Sequence, residues 1–242
     1  MARRKGTMFE ETIKSSYLGE NMVLKIYQPE AFSPLYKYHL CIMQDGNDYY
    51  QMGRLATLSD ELHEDVEITN TVFVGIHYID RYDRLKKYHP EGEKFEAYMK
   101  FLAFEVVSFL DDLLPTYQLS QSRVLMGDSL AGTIALLTAI KYPHTFGKVI
   151  MQSPFVDDAV LSLVEPAGKL DILEIYHTIG TKETEVPTSL DKEVDFVTPN
   201  RTLHDYFAQR ETTYTYHEIE DGLHTWKYWQ EDLKRALMTI LY

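Results

Sequence analysis

One cysteine, Cys41, is all the thiol this chain of 242 residues holds. No intrachain disulfide can staple it, and such thiol usage is compatible with a reducing compartment. Cations are scarce too: 24 Lys and Arg stand against 37 Asp and Glu, a formal net charge of −13. A surface of that sign has no basic face to release counterions from phosphates, which argues against nucleic acid as a partner. It names no substrate, because acidic surfaces are commonly just well-solvated ones. No run approaches ~18 uninterrupted apolar residues, so no membrane span is expected. The opening Met1-Ala2-Arg3-Arg4-Lys5-Gly6 has the basic character of a signal peptide, but Glu10, Glu11, Lys14 and Glu20 stand where an apolar stretch should follow. The expectation is a cytoplasmic protein. No histidine–carboxylate or cysteine spacing suits a metal, and no Gly-rich phosphate loop follows the first strands, so no metal or other cofactor is expected.

What is present fits an ordinary globular chain, with 45% hydrophobic and 25% charged residues. A chain of this length buries roughly 70–75% of its unfolded surface, enough for a full core. Residues 1–242 are expected to form one domain. Apolar, β-rich runs alternate with helical patterns, the signature of a mainly parallel central sheet with helices on both faces. The expected strands are Met22–Tyr27, His39–Met43, Thr71–Ile76, Arg123–Met126, Lys148–Met151, Ile172–Tyr176 and Thr213–His217. Helical spacing marks Lys94–Leu114, closed by Pro115, and also Thr133–Tyr142, Arg201–Gln209 and Lys227–Leu241. Two segments, near 154–169 and 185–198, read as irregular. Both follow strands, where active-site loops of such sheets collect.

Chemistry concentrates at Gly127-Asp128-Ser129-Leu130-Ala131-Gly132, where an apolar strand meets a small-residue helix. That context suits a G-x-S-x-G turn, in which a strained serine is exposed between strand and helix. Its neighbours two positions away must be small, and Gly127 and Ala131 are; Ala131 replaces the usual second glycine at the cost of one methyl group. Ser129 is therefore the candidate nucleophile, and the backbone N–H of Leu130 a candidate oxyanion donor. The alternative is a plain strand–helix turn with a serine cap.

A serine hydrolase of this order presents its acid and then its histidine after the serine. Of the histidines that follow Ser129, His144 ends the helix behind it, His177 and His217 fall in strands, and His204 falls in a helix. His224, in Asp221-Gly222-Leu223-His224-Thr225-Trp226, has the loop context a general base needs. Glu183 follows the strand ending at Gly180 and is the chosen acid, with Glu185, Asp191 and Asp195 as rivals. Its task would be to hold the imidazole tautomer. The second oxyanion N–H is assigned to Asn47 in Asp45-Gly46-Asn47-Asp48, against the plainer reading of an Asp-Gly turn. Tyr49, Tyr50, Phe155, Trp226 and Trp229 flank these loops and are candidates for an aromatic or acyl pocket. Cys41, in mid-strand, reads as a buried structural thiol.

Taken together, these motifs resemble the esterase family that includes enterochelin (siderophore) esterases, feruloyl esterases, S-formylglutathione hydrolase and mycolyltransferases. The resemblance runs from Met22 to Leu241. It rests on Asp45-Gly46-Asn47-Asp48-Tyr49, on Val74-Gly75-Ile76 with Arg84 and Tyr88-His89-Pro90, on the Gly127–Gly132 turn, and on Tyr142-Pro143 with Phe146-Gly147. Ser153-Pro154, Gly180-Thr181-Lys182-Glu183, and Gly222-Leu223-His224-Thr225-Trp226 with Trp229 complete it. It implies an α/β-hydrolase fold, a Ser129–Glu183–His224 triad and an oxyanion hole from Asn47 and Leu130. Asp45-Gly46 stands where many members carry His-Gly, which looks more like the siderophore-esterase branch; members of that branch that resemble Ser–His dyads leave the need for Glu183 open.

The expected activity is hydrolysis of a small-molecule carboxylic ester through an acyl-enzyme, with a siderophore-like or aryl ester as candidate substrate. An acyltransferase using the same triad is the first alternative, and a non-catalytic ligand-binding protein on the same scaffold is the second. A homo-oligomer is left open.

Overall fold

Alternation along the strands sets the layers. In β3 (His39–Met43), Leu40 and Ile42 join one apolar cluster while Cys41 and Met43 join another. β4 (Thr71–Ile76) does the same, with Val72, Val74 and Ile76 on one side and Phe73 on the other. Strands buried on both faces need helices on both faces. The computed structural model describes residues 4–166, 168, 170–188 and 192–242, and those helices are there.

The sheet has eight strands. β1 (Thr7–Lys14), β2 (Asn21–Gln28), β5 (Arg123–Asp128), β6 (Lys148–Gln152), β7 (Glu174–Gly180) and β10 (Thr213–Ile219) join β3 and β4 in the order β1-β2-β4-β3-β5-β6-β7-β10. The β1–β2 and β2–β4 pairs are antiparallel and every other pair is parallel. A separate antiparallel ladder joins β8 (Val186–Pro187) to β9 (Glu193–Val194). On one face, α1 (Gly46–Gln51), α2 (Leu55–Glu64) and α9 (Trp226–Leu241) supply Tyr49, Leu55, Leu62, Leu233 and Leu237 to the core. The other face is covered by α3 (Arg81–Tyr88), α4 (Phe95–Lys100), α5 (Val107–Leu113), α6 (Ser129–Lys141), α7 (Asp158–Val164) and α8 (Val197–Ala208). This is the α/β-hydrolase arrangement expected from the sequence.

Several details differ from expectation. β1 carries Glu10, Glu11 and Lys14, and its hydropathy gives no strand; it forms because an edge strand needs only one packed face. The expected helix over Lys94–Leu114 is interrupted by a π-helical stretch, Phe101–Val106, between α4 and α5. One extra residue per turn there rephases the apolar stripe, so Val106, Val107 and Leu110 are buried while Leu113 is exposed. β7 begins at Glu174 and runs on to Gly180, four residues beyond the strand expected at Ile172–Tyr176. The segments read as irregular hold α7, the β8–β9 ladder and the start of α8. Among the described residues, no helix is long and apolar enough to cross a membrane.

The tightest junction is that between β5 and α6. A Cβ on Gly127 would lie 2.3 Å from the backbone C and O of Ala131. Gly127→Ala should therefore force strand and helix apart and cost about 1–3 kcal/mol of stability. Thermal denaturation should show it as a fall of about 2–4 °C per kcal/mol; an unchanged midpoint would mean that the turn can relax.

Candidate active site

β5 delivers the chain to Ser129 and α6 carries it away. At the junction Ser129 has φ 51°, the left-handed region that costs a non-glycine residue energy. The packing on either side holds it there: Phe155 N–H donates to the Ser129 carbonyl at 3.2 Å, and Gly127 lies against Ala131. Leu130, in the first turn of α6, has a backbone N–H with no helical carbonyl to accept it.

His224 lies between β10 and α9. Its Nε2 is 3.0 Å from Ser129 Oγ, and its Nδ1 is 2.6 Å from Glu183 Oε2. An ionised carboxylate can only accept, so the imidazole proton sits on Nδ1 and the Nε2 lone pair faces the serine hydroxyl. Trp229 meets the imidazole edge-on at 4.8 Å between centroids, and Phe196 packs against it at 4.5 Å.

Glu183 is 1% exposed, in the turn after β7. Its second oxygen, Oε1, accepts from Gly180 N–H at 2.8 Å and from Ser153 Oγ at 2.6 Å. Ser153 Oγ accepts in turn from Trp229 Nε1 at 2.9 Å. Both oxygens are thus engaged, which is the condition for holding a carboxylate in so dry a place. Of the rival acids, Glu185 is exposed and Asp195 caps α8, accepting from Val197 N–H at 2.8 Å. Asp191 lies outside the described residues.

Asp45-Gly46-Asn47 leaves β3 alongside the serine turn, because β3 and β5 are parallel neighbours and Gln44 N–H bonds the Met126 carbonyl at 2.8 Å. Rather than forming a plain turn, Gly46 and Asn47 begin α1, which leaves the Asn47 N–H in a first helical turn. The Asn47 side chain points elsewhere: its Oδ1 accepts from Lys25 Nζ at 2.8 Å, beside a separate cavity lined by His77 and Tyr78. Asp45, at φ 54°, is gripped by Arg84, whose Nε and one terminal nitrogen lie 2.9 and 2.7 Å from Oδ2.

An open cleft of about 440 Å³ lies over Ser129 and His224. Leu85, His89, Phe155, Pro187 and Phe196 give it a largely apolar wall, with Arg84 at its edge. Of the five aromatic pocket candidates, Phe155 lines this cleft. Tyr49, Tyr50, Trp226 and Trp229 are not in its wall, and Tyr50 lines a separate cavity. Tyr49 is fully buried with its hydroxyl 3.3 Å from Gln152 Oε1. Tyr50 has its hydroxyl 2.8 Å from the Phe73 carbonyl, and Trp226 packs edge-on against Tyr49 and Trp229. Phe196, Leu85 and Pro187 were not singled out from the sequence. They come from irregular or amphipathic segments that carry no signal for which side chain turns inward. Ser153 was visible only as part of a motif, without a role, and Trp229 only as a pocket candidate.

A sequence model of the family described as Putative esterase matches residues 15–240. The chain is 45% identical over 241 residues to an uncharacterized protein, YjcH, of Bacillus subtilis (strain 168), covering the whole of both chains. Among solved structures it is similar to a ferulic acid esterase, with a TM-score of 0.80, 14% identity and 98% of each chain covered. It is also similar to the enterochelin esterase of Shigella flexneri, with a TM-score of 0.81 and 18% identity. There 96% of this chain spans 57% of the larger protein.

The short Nδ1–Glu183 contact should give a strongly downfield imidazole proton in the NMR spectrum of histidine-labelled protein, lost in Glu183→Gln. A Ser153→Ala variant strands the buried Trp229 N–H and should lower stability by about 1–3 kcal/mol. Denaturant titration measures that loss, and no loss would show that Ser153 is not a needed partner.

Proposed function

The chain belongs to the esterase family whose model spans it and is a carboxylic-ester hydrolase; on that premise we propose that Ser129, His224 and Glu183 are its catalytic triad. The observation that carries the reading is the unbroken line from Glu183 Oε2 through His224 to Ser129 Oγ, opening on the apolar cleft.

Ser129 Oγ attacks the ester carbonyl carbon as its proton passes to His224 Nε2. Glu183, held by Gly180 N–H and Ser153, stabilises the imidazolium without taking its proton. The N–H groups of Asn47 and Leu130 receive the charge that develops on the carbonyl oxygen. His224 then protonates the departing alcohol, leaving an acyl-enzyme on Ser129. A water molecule deprotonated by His224 attacks that acyl group, and Ser129 recovers its proton. Residues 1–242 act as one esterase domain in this reading, and the buried thiol of Cys41 suits a cytoplasmic setting.

For the substrate we favour a siderophore-like or aryl ester, because Phe155, Phe196 and His89 offer flat faces around the open cleft over Ser129.

A fluorophosphonate probe should label Ser129. An intact, folded protein whose Ser129 stays unmodified would end the proposal. Ser129→Ala should lower turnover of p-nitrophenyl acetate by roughly 10³–10⁶-fold, and Glu183→Gln by roughly 10²–10⁴-fold. Undiminished activity in Glu183→Gln would mean that a Ser129–His224 dyad suffices. Transfer to an added alcohol in preference to water would make the enzyme an acyltransferase.

A further inference from the structure

Behind the serine turn lie two buried carboxyl groups and one arginine. Asp45 is 2% exposed and Asp128 is 5% exposed. They occupy matching places: β3 and β5 run parallel in a register that pairs Leu40 with Arg123 and Met43 with Met126. Gln44 N–H continues that pairing to the Met126 carbonyl at 2.8 Å; Asp45 follows two residues beyond the end of β3, and Asp128 is the last residue of β5. Arg84 spends both its nitrogen contacts on Asp45 Oδ2. Asp45 Oδ1 and Asp128 Oδ1 are both buried and without a hydrogen-bond partner.

Two ionised carboxylates beside one guanidinium would leave a net negative charge on largely buried groups, which is costly. Two orphaned acceptor oxygens would add to the cost. A single proton removes both difficulties, since a neutral carboxyl group can donate to its neighbour. Burial first, and the charge of Asp45 second, push the Asp128 carboxyl well above the usual carboxylate range, with Arg84 opposing them. Among the described residues no other group donates to Asp45 Oδ1 or Asp128 Oδ1. Asp48, on α1, is a third carboxyl group, pushed up by burial, and Tyr78 lies in the field of all three acids. Tyr98 donates to Gln44 Oε1, and the Tyr49 hydroxyl lies against Gln152. His77, in the neighbouring cavity, faces Asp48.

We propose that Asp128 stands as a neutral carboxylic acid sharing its proton with Asp45, and that it is a positioning residue for the esterase reaction. The shared proton ties the turn carrying Ser129 and Leu130 to the turn carrying Gly46 and Asn47, so both oxyanion donors keep one spacing. It also leaves Asp45, Arg84 and Asp128 with no net charge as a group. That matters because negative charge develops on the substrate oxygen next to Ser129. An ionised Asp128, adjoining that serine, would repel it, whereas a neutral one does not. The inference rests on the triad reading, and its tests separate the two.

Infrared difference spectroscopy of the wild-type protein against Asp128→Asn reads the proton directly. The expected result is a protonated-carboxyl C=O band at neutral pH, shifted in D₂O and missing from Asp128→Asn; no such band overturns the proposal. In kinetics, Asp128→Ala should lower kcat at least about tenfold with little change in KM, as expected when a group acts only on transition-state geometry. Asp128→Asn, a neutral donor of the same shape, should recover most of that loss. A folded Asp128→Asn as impaired as Asp128→Ala would overturn the proposal. Should Asp128→Ala fail to fold, the infrared band and the Asp128→Asn kinetics still decide. Fluorophosphonate labelling checks the triad separately: a band without labelling of Ser129 would leave the shared proton standing and remove its catalytic purpose.

Discussion

Everything at this site depends on one steric constraint, the left-handed backbone at Ser129. A serine at φ 51° exists because β5 and α6 close on each other at Gly127 and Ala131, and because Phe155 ties the Ser129 carbonyl from the other side. Strain of about 1–3 kcal/mol is held there by packing that extends through the helix into the core. Nearly every side chain of α6 from Leu130 to Ala139 is buried. The hydroxyl therefore has little freedom to leave its position, and the cleft can be built around it.

The polar half of the site follows the same economy. Glu183 and Asp45 are both buried, and each is held through fixed donors rather than through water. Glu183 has His224, Gly180 and Ser153, and Asp45 has Arg84. Trp229 serves twice, donating to Ser153 and setting its ring edge-on to His224. A substitution at Trp229 would thus disturb Glu183 and His224 together. Ser153, at φ 46°, is a second left-handed serine, bonded to Glu183 at 2.6 Å. Among the described residues between β6 and β7 it is the one non-glycine residue with a positive φ.

How much of this could be read from the sequence depended on whether a residue's role is local. The serine turn was legible because its small neighbours, Gly127 and Ala131, are a local steric demand. His224 was legible from chain order and loop context, and Glu183 less so, since Glu185 and Asp195 sit in the same stretch and only the fold shows which carboxyl group turns inward. The central strands were legible because burial on both faces makes them continuously apolar. β1 was not, as an edge strand tolerates Glu10, Glu11 and Lys14. Tyr49, Tyr50 and Trp226 show how little proximity in sequence says about a cleft wall: none of them lines the cleft over Ser129. The cleft walls from Leu85, Pro187 and Phe196 depend on tertiary approach alone, which no local pattern encodes.

The serine and the histidine reach each other from opposite sides of the sheet. Ser129 opens α6, which packs on one face, and His224 precedes α9, which packs on the other through Leu233, Ala236 and Leu237. The 3.0 Å gap between them is therefore a measure of how the two helical layers are seated on the strands. Loosening the C-terminal helix by a fraction of its hold would open that gap long before the sheet itself came apart. Catalysis in such a protein fails ahead of the fold, and turnover becomes a sensitive gauge of whether its last helix is docked.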